Sequence, residues 1–345
     1  MVLERTGRIE RDSEPLVPRE PRAPEPGPGE VRLRVRACAV CHTELDQIEG
    51  RVATRTPRIP GHEVVGDVDR LGEGVDDGLD GARVGVGWIA SACGRCQWCE
   101  RGEENLCPDF RATGRDIDGG YAEFMTVPAA FVQRVPDALD DMDCAPMLCA
   151  GAIGLRSLRL TGMDDGQVLG LTGFGASNHL VLTLARILHP DSPVMVWARD
   201  PGQREQALEL GAAWAGDTHD DPPRAPDAII DTTPVWTPVL AALTRLAPGG
   251  RLVVNAIRKE DGDRDRLAGL DYAEQLWREK EIKSVANVTR RDIGDYLDLA
   301  AEHGLRPETR CVPLEDANEA LRRIRFGDFR GAFVLDIGMN LERSA

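Results

Sequence analysis

Cys93, Cys96, Cys99 and Cys107 fall within fifteen residues, in the spacing Cys-x2-Cys-x2-Cys-x7-Cys. Four thiolates on one loop can close a tetrahedron around Zn²⁺ with no position left for water, which makes a structural site. An iron–sulfur cluster is the rival occupant, because spacing alone does not separate the two. Two further stretches carry ligand types, Cys41-His42-Thr43-Glu44 and Gly61-His62-Glu63. Taken singly, His62 reads first as a packed or hydrogen-bonded histidine, and the same holds for Cys41. A third stretch, Gly173-Phe174-Gly175-Ala176-Ser177-Asn178, has the chemistry of a phosphate cradle. Glycine at its first two key positions permits a tight turn and brings backbone N–H groups close to a pyrophosphate at a helix N-terminus. The third key position is Asn178 instead of Gly or Ala, so the turn alone is a weak signal.

Two kinds of element must position these groups. Residues 11–30 are rich in Pro, Glu and Arg and read as an irregular lead-in. Val31 to Val35 alternates apolar residues with arginine, the pattern of a half-exposed strand. From there to about residue 150, short β-like runs (63–68 and 82–86) are broken by Gly and Pro, which predicts a small barrel or sandwich. The style then changes. Strands are expected at 167–172, 193–198, 228–231 and 251–254, with helices at 179–188 and 203–210. That alternation predicts a doubly wound parallel sheet. Beyond about residue 285 the periodicity is mixed, with a helix expected at 292–302 and a last strand at 332–337. The expected organisation is a β-rich domain formed by 1–150 and 286–345, and an α/β domain formed by 151–285.

Composition narrows the function. The chain has 345 residues, about two domains' worth. No apolar run approaches the roughly 18 residues of a membrane helix, and the start Met1-Val2-Leu3-Glu4-Arg5 has no apolar leader core. A cytoplasmic location is expected. With nine cysteines, an odd number, thiolate ligands are expected in place of disulfides. The formal net charge is −16, which disfavours nucleic-acid partners. Lysine occurs three times (Lys259, Lys280, Lys283), so almost every cation is arginine. Codon bias in a GC-rich genome explains this, as does an acidic surface suited to high salt; activity in molar salt separates the two.

Taken together, Cys-His-Thr-Glu at 41–44, Gly-His-Glu at 61–63, the cysteine lobe, Gly-Gly-Tyr-Ala-Glu at 119–123 and the glycine turn at 173–175 change the weight of each part. The chain resembles the zinc-dependent alcohol dehydrogenases of the medium-chain dehydrogenase/reductase family over nearly its whole length. The resemblance implies a GroES-like, β-rich catalytic domain and a Rossmann cofactor domain. It implies a catalytic zinc held by Cys41, His62 and Cys149, with Cys144 a rival by position, and a structural zinc held by the lobe, so two zinc ions per chain. Three protein ligands leave one open position for a substrate oxygen. By the same resemblance, Glu63 approaches the metal or its outer shell, and Glu44 orients His62, unless it is a solvated loop residue. Thr43 passes the alcohol proton outward. The family's next relay member is often a histidine, replaced here by Asp46, so a carboxylate or water must take that step. His42 falls beside the cofactor's pyrophosphate, and Gly173, Gly175, Ala176 and Ser177 form the turn that receives it.

The end of the second expected strand distinguishes the cofactors. A carboxylate there favours NAD, and an arginine can receive a 2′-phosphate. The chain reads Val196-Trp197-Ala198-Arg199-Asp200, so NADP(H) is expected over NAD(H), with Arg199 as reader and Asp200 as the dissenter. Two further departures are Ile153, where many relatives have a threonine near the nicotinamide, and Gly331-Ala332-Phe333-Val334-Leu335, which lacks a family arginine. Trp88 either lines the substrate pocket or packs in the core. The implied reaction interconverts alcohols with aldehydes or ketones, in a homodimer or homotetramer. Rival readings are a polyol or sugar dehydrogenase, a zinc-free reductase of the same fold, and a non-enzymatic zinc-ribbon module.

Overall fold

Alternation of valine and leucine with arginine along 31–36 buries Val31, Leu33 and Val35 and leaves Arg34 and Arg36 outside. Arg32 breaks the pattern. It is buried, and both ends of its guanidinium meet the Asp69 carboxylate at 2.9 Å. The computed structural model describes residues 1–327 and 331–338. It divides into one unit of Met1–Ala152 with Asn287–Ala345 and a second of Ile153–Ala286. Residues 328–330 and 339–345 of the expected 286–345 segment lie outside the described residues.

In the first unit, Glu30–Val40 is the central strand of a seven-stranded sheet. The order is Thr309–Pro313, Ala332–Asp336, Glu30–Val40, Val64–Leu71, Arg83–Val86 and Gln133–Arg134, with Phe124–Pro128 also paired to Glu30–Val40. The Thr309–Pro313 pairing is parallel and the others are antiparallel. Val31, Leu33, Val64, Val68, Val84, Met125 and Phe333 form its core with Leu3 and Leu16. The lead-in expected to be irregular contains a two-residue strand, Leu16–Val17, paired with Val2–Leu3. Leu16 is fixed there by Asn318, whose side chain bonds both its N–H and its C=O. A second small sheet, Ile89–Ser91 with Arg111–Ala112, closes the base of the cysteine loop.

The second unit holds a six-stranded parallel sheet ordered Trp214–Gly216, Val194–Trp197, Leu169–Thr172, Ala228–Asp231, Arg251–Val254, Glu281–Ser284. Numbered along the chain this is 3-2-1-4-5-6, the Rossmann order. Two of these strands carry little sequence signal. Trp214–Gly216 is three residues long, and Glu281–Ser284 is exposed along its whole length. The helices start earlier than expected. Ala176–Leu188 begins directly on Gly175, and Pro201–Glu209 begins on Pro201 behind an Asp200 cap.

Candidate metal centres and nucleotide turn

Cys41 ends its strand region as the N-cap of the helix His42–Ile48. Its backbone N–H donates to Glu44 Oε2 at 2.9 Å, and Glu44 Oε1 accepts from His62 Nδ1 at 2.6 Å. One fully buried carboxylate therefore fixes the backbone of one candidate ligand and the ring of another. This removes the solvated-loop alternative for Glu44. Gly61 precedes His62 at φ +98°, and a Cβ there would lie 2.4 Å from Cδ1 of Tyr121 and 2.8 Å from Sγ of Cys38. Only glycine permits this turn, which aims His62 inward. The ring of Trp88 meets that of His62 edge to face at 4.9 Å, so Trp88 is both a core residue and a wall beside His62.

Cys149 sits in a single π-helical turn, Met147–Gly151, directly after the helix Asp141–Pro146. Such turns re-aim side chains inside helices. The ligand atoms of Cys41, His62, Glu63 and Cys149 all lie within 4.8 Å of one another. Cys144 belongs to neither ligand group among the described residues; burial pushes its thiol up to about 12.

The chemistry of this donor set fits a soft divalent cation. Nδ1 of His62 is committed to Glu44, which leaves Nε2 as the lone-pair nitrogen. That Nε2 is buried with no hydrogen-bond partner, and a buried polar atom of this kind calls for a ligand. A hydrogen bond from Cys149, aided by the His62 imidazole, holds the Cys41 thiol well below its ordinary range despite burial. Burial disfavours the charged His62 ring, but Glu44 and Cys41 outweigh it and raise its pKa. Burial, then the neighbouring Cys41 charge, pushes the Glu63 carboxyl well up. Thr43 Oγ1 lies 3.7 Å from Cys41 Sγ. One helical turn on, Asp46 is nearly buried and ion-paired with Arg51 at 2.6 Å. His42 is exposed on the first turn.

The four lobe sulfurs of Cys93, Cys96, Cys99 and Cys107 also lie within 4.8 Å of one another. Cys96 and Cys99 are 3.6 Å apart and Cys93 and Cys99 3.9 Å. Zn–S bonds of about 2.3 Å in a tetrahedron place sulfurs about 3.8 Å apart, so the lobe fits one such ion. A hydrogen bond from the Arg95 backbone lowers the Cys93 thiol to about 7, whereas desolvation lifts Cys99 to about 12. Sequence reasoning missed the lobe's anchor. Glu104, buried inside it, accepts from the Arg290 backbone N–H at 3.1 Å and from its Nε at 3.0 Å.

In the second unit, Gly173 follows the strand Leu169–Thr172 at φ +76°, and a Cβ there would come within 3.0 Å of Thr232 and Thr233. Gly175 caps the helix with open space above it, and Ala176 and Ser177 form its first turn. The first N–H groups of a helix have no partner within it, and such a terminus favours an anion. Asn178, the apparent defect of the motif, is fully buried. Its Nδ2 donates to Gly173 O at 2.7 Å, Thr172 O at 3.2 Å and Thr232 Oγ1 at 3.1 Å, locking the turn to the sheet. At the second strand's end Arg199 is exposed, whereas Asp200 accepts from Gln203 N at 3.0 Å as a helix cap.

The chain is similar to known alcohol dehydrogenases. The family model of the alcohol dehydrogenase GroES-like domain matches residues 27–137. A probable alcohol dehydrogenase of Mycobacterium tuberculosis is 43% identical over 94% of this chain and 93% of its own length. An alcohol dehydrogenase of Geobacillus stearothermophilus is 33% identical over 90% and 92%. A cinnamyl alcohol dehydrogenase structure from Sorghum bicolor superposes with a TM-score of 0.84 at 30% identity, covering 97% of this chain and 96% of that one. These matches do not favour a polyol dehydrogenase or a zinc-ribbon module. No described helix is long and apolar enough to cross a membrane. The chain belongs to the zinc-dependent alcohol dehydrogenases of the medium-chain dehydrogenase/reductase family, oxidoreductases that use a nicotinamide cofactor.

Proposed function

We propose that this enzyme carries two zinc ions, one catalytic on Cys41, His62 and Cys149 with Glu63 beside them, and one structural on Cys93, Cys96, Cys99 and Cys107. The observation that carries the reading is the orphaned, buried His62 Nε2 inside a cluster of two thiols and a carboxylate. Zinc bound there supplies a Lewis acid for an alcohol or carbonyl oxygen, and the nicotinamide supplies the hydride acceptor. Glu44 holds His62 in the tautomer that presents Nε2. Thr43 Oγ1, beside Cys41, takes the alcohol's proton, and Asp46 on the same helix continues the outward route in place of a histidine. Small alcohols, aldehydes and ketones are the substrates.

Residues 1–150 with 286–345 form the catalytic domain in this reading, and 151–285 the cofactor domain. Gly173, Gly175, Ala176 and Ser177 receive the pyrophosphate. NADP(H) is preferred over NAD(H): Arg199 is exposed at the strand end, and the one rival carboxylate, Asp200, is occupied as a cap. The chain assembles as a homodimer or homotetramer. The exposed edge strand Glu281–Ser284 and the exposed Tyr272 and Trp277 beside it support a self-association surface. It works in the cytoplasm, where its thiolate ligands stay reduced. A spectrophotometric screen of alcohols and aldehydes with both cofactors tests the assignment. Turnover of simple alcohols with NADP⁺ is expected, and activity confined to polyols, or a clear NADH preference, would overturn it.

A further inference from the structure

Lysine is rare in this chain, yet Lys259 is almost fully buried, with its side chain 8% exposed. Its ammonium meets the carboxylate of the fully buried Asp231, and it donates to Thr233 O at 2.7 Å and Val235 O at 3.3 Å. The other carboxylate oxygen of Asp231 accepts from Thr172 Oγ1 at 2.7 Å and Thr233 Oγ1 at 2.8 Å. Three acceptors converging on one point suit a tetrahedral ammonium. A planar guanidinium spreads its donors in a fork, so arginine does not substitute. The retention of lysine in an arginine-rich chain has a geometric reason here.

The location gives the pair a purpose. Thr172 and Asp231 are register partners at the C-terminal ends of the first and fourth strands in chain order. This is where the strand order reverses, the crevice in which such sheets bind nucleotides. Gly173 follows Thr172, and Thr232 and Thr233 crowd the space its Cβ would need. Asn178 ties Gly173 to Thr232 from the helix side. Residues 231–235 are therefore the wall against which the glycine turn is set, and Lys259 grips that wall at Asp231, Thr233 and Val235.

We propose that Lys259 is a positioning residue for the dinucleotide, which fixes segment 231–235 against the glycine turn and so sets affinity for the part shared by NAD(H) and NADP(H). The inference rests on the reading of Gly173–Asn178 as the nucleotide turn. It predicts a loss blind to the 2′-position, unlike any change at Arg199.

The test is fluorescence titration of NADPH and NADH into full-length wild type, K259M and T233V, with kcat, nucleotide KM and thermal midpoint measured alongside. K259M removes one member of a buried pair and is expected to weaken both nucleotides by about tenfold or more. Their affinity ratio is expected to stay within about twofold, and kcat at saturating nucleotide within about threefold. T233V, which removes the hydroxyl that donates to Asp231 Oδ1 at 2.8 Å and reaches Val235 O at 3.3 Å, is expected to weaken both by roughly threefold and carries the test if K259M does not fold. Wild-type affinities in the folded variants, even with a lowered thermal midpoint, would reduce Lys259 to a stability role and overturn the proposal, as would loss of one nucleotide alone. Failure of wild type to bind either nucleotide would refute the nucleotide turn itself, and the role proposed for Lys259 falls with it.

Discussion

Replacing Glu44 with glutamine keeps the shape of the side chain and removes its charge. The two groups that Glu44 accepts from, Cys41 N–H and His62 Nδ1–H, are both donors. A carboxylate satisfies both, whereas a glutamine amide must turn its NH₂ against one of them. Either the cap on Cys41 is lost or the His62 tautomer is no longer fixed. Glu44 is fully buried, so no water replaces the missing acceptor. A hydrogen bond to a charged group is worth about 1.5–3 kcal/mol, which corresponds to roughly 10- to 150-fold in a dissociation constant. Loss of such outer partners typically weakens metal binding by about 10- to 100-fold. Competition with a chromogenic chelator measures this, with the lobe site as internal control. E44Q is expected to release one zinc about 10- to 100-fold more readily while the second stays as tight as in wild type. Unchanged affinity at both sites would show that Glu44 does not position His62.

Three further outcomes follow from the same geometry. E104Q cuts the charged link from the cysteine lobe to Arg290; Arg290 is 41% exposed, so a discounted loss of about 1–2 kcal/mol and a fall in Tm of roughly 2–8 °C are expected by calorimetry, and an unchanged Tm would remove Glu104 as anchor. The zinc-free enzyme gains stability from the charged His62 beside Glu44, whose raised pKa makes that gain full below the ordinary imidazole value of about 6.5 and lost as pH rises through the raised value. Chelator-treated protein is therefore expected to lose Tm on that rise relative to H62Q, whereas zinc affinity rises as protons leave the ligands; a parallel pH profile for the two proteins would contradict the assignment. R199A is expected to cut kcat/KM with NADPH by about 10- to 100-fold, the worth of a charged hydrogen bond, and to leave NADH within about twofold, and an equal effect on both would dismiss Arg199 as the 2′-phosphate reader.

The sequence displayed what is local and hid what is assembled. The four lobe cysteines are legible because a single loop supplies all of them, so spacing alone reports their geometry. The choice between Cys149 and Cys144 is not of that kind. Four residues separate them, and a π-turn after Pro146 brings one sulfur to the ligand group while the other stays in the core. Glu44 was identified by position, but its double acceptor role depends on where His62 lies after folding. Asn178 looked like a broken motif because the motif encodes close packing, and here hydrogen bonds do that work. The six-stranded sheet was visible wherever strands are buried on both faces, and the exposed Glu281–Ser284 was not, since it carries no apolar run. The pairs Glu104–Arg290 and Lys259–Asp231 join residues with no common motif, and nothing but tertiary structure reveals them.

Zinc content per chain, measured on purified wild type and on H62A with turnover recorded in parallel, addresses the central claim most directly. Two ions in the wild type, one in H62A and no alcohol oxidation by the variant is the predicted result. A wild type holding one ion, or an H62A protein that keeps both ions or keeps turning over, would contradict it.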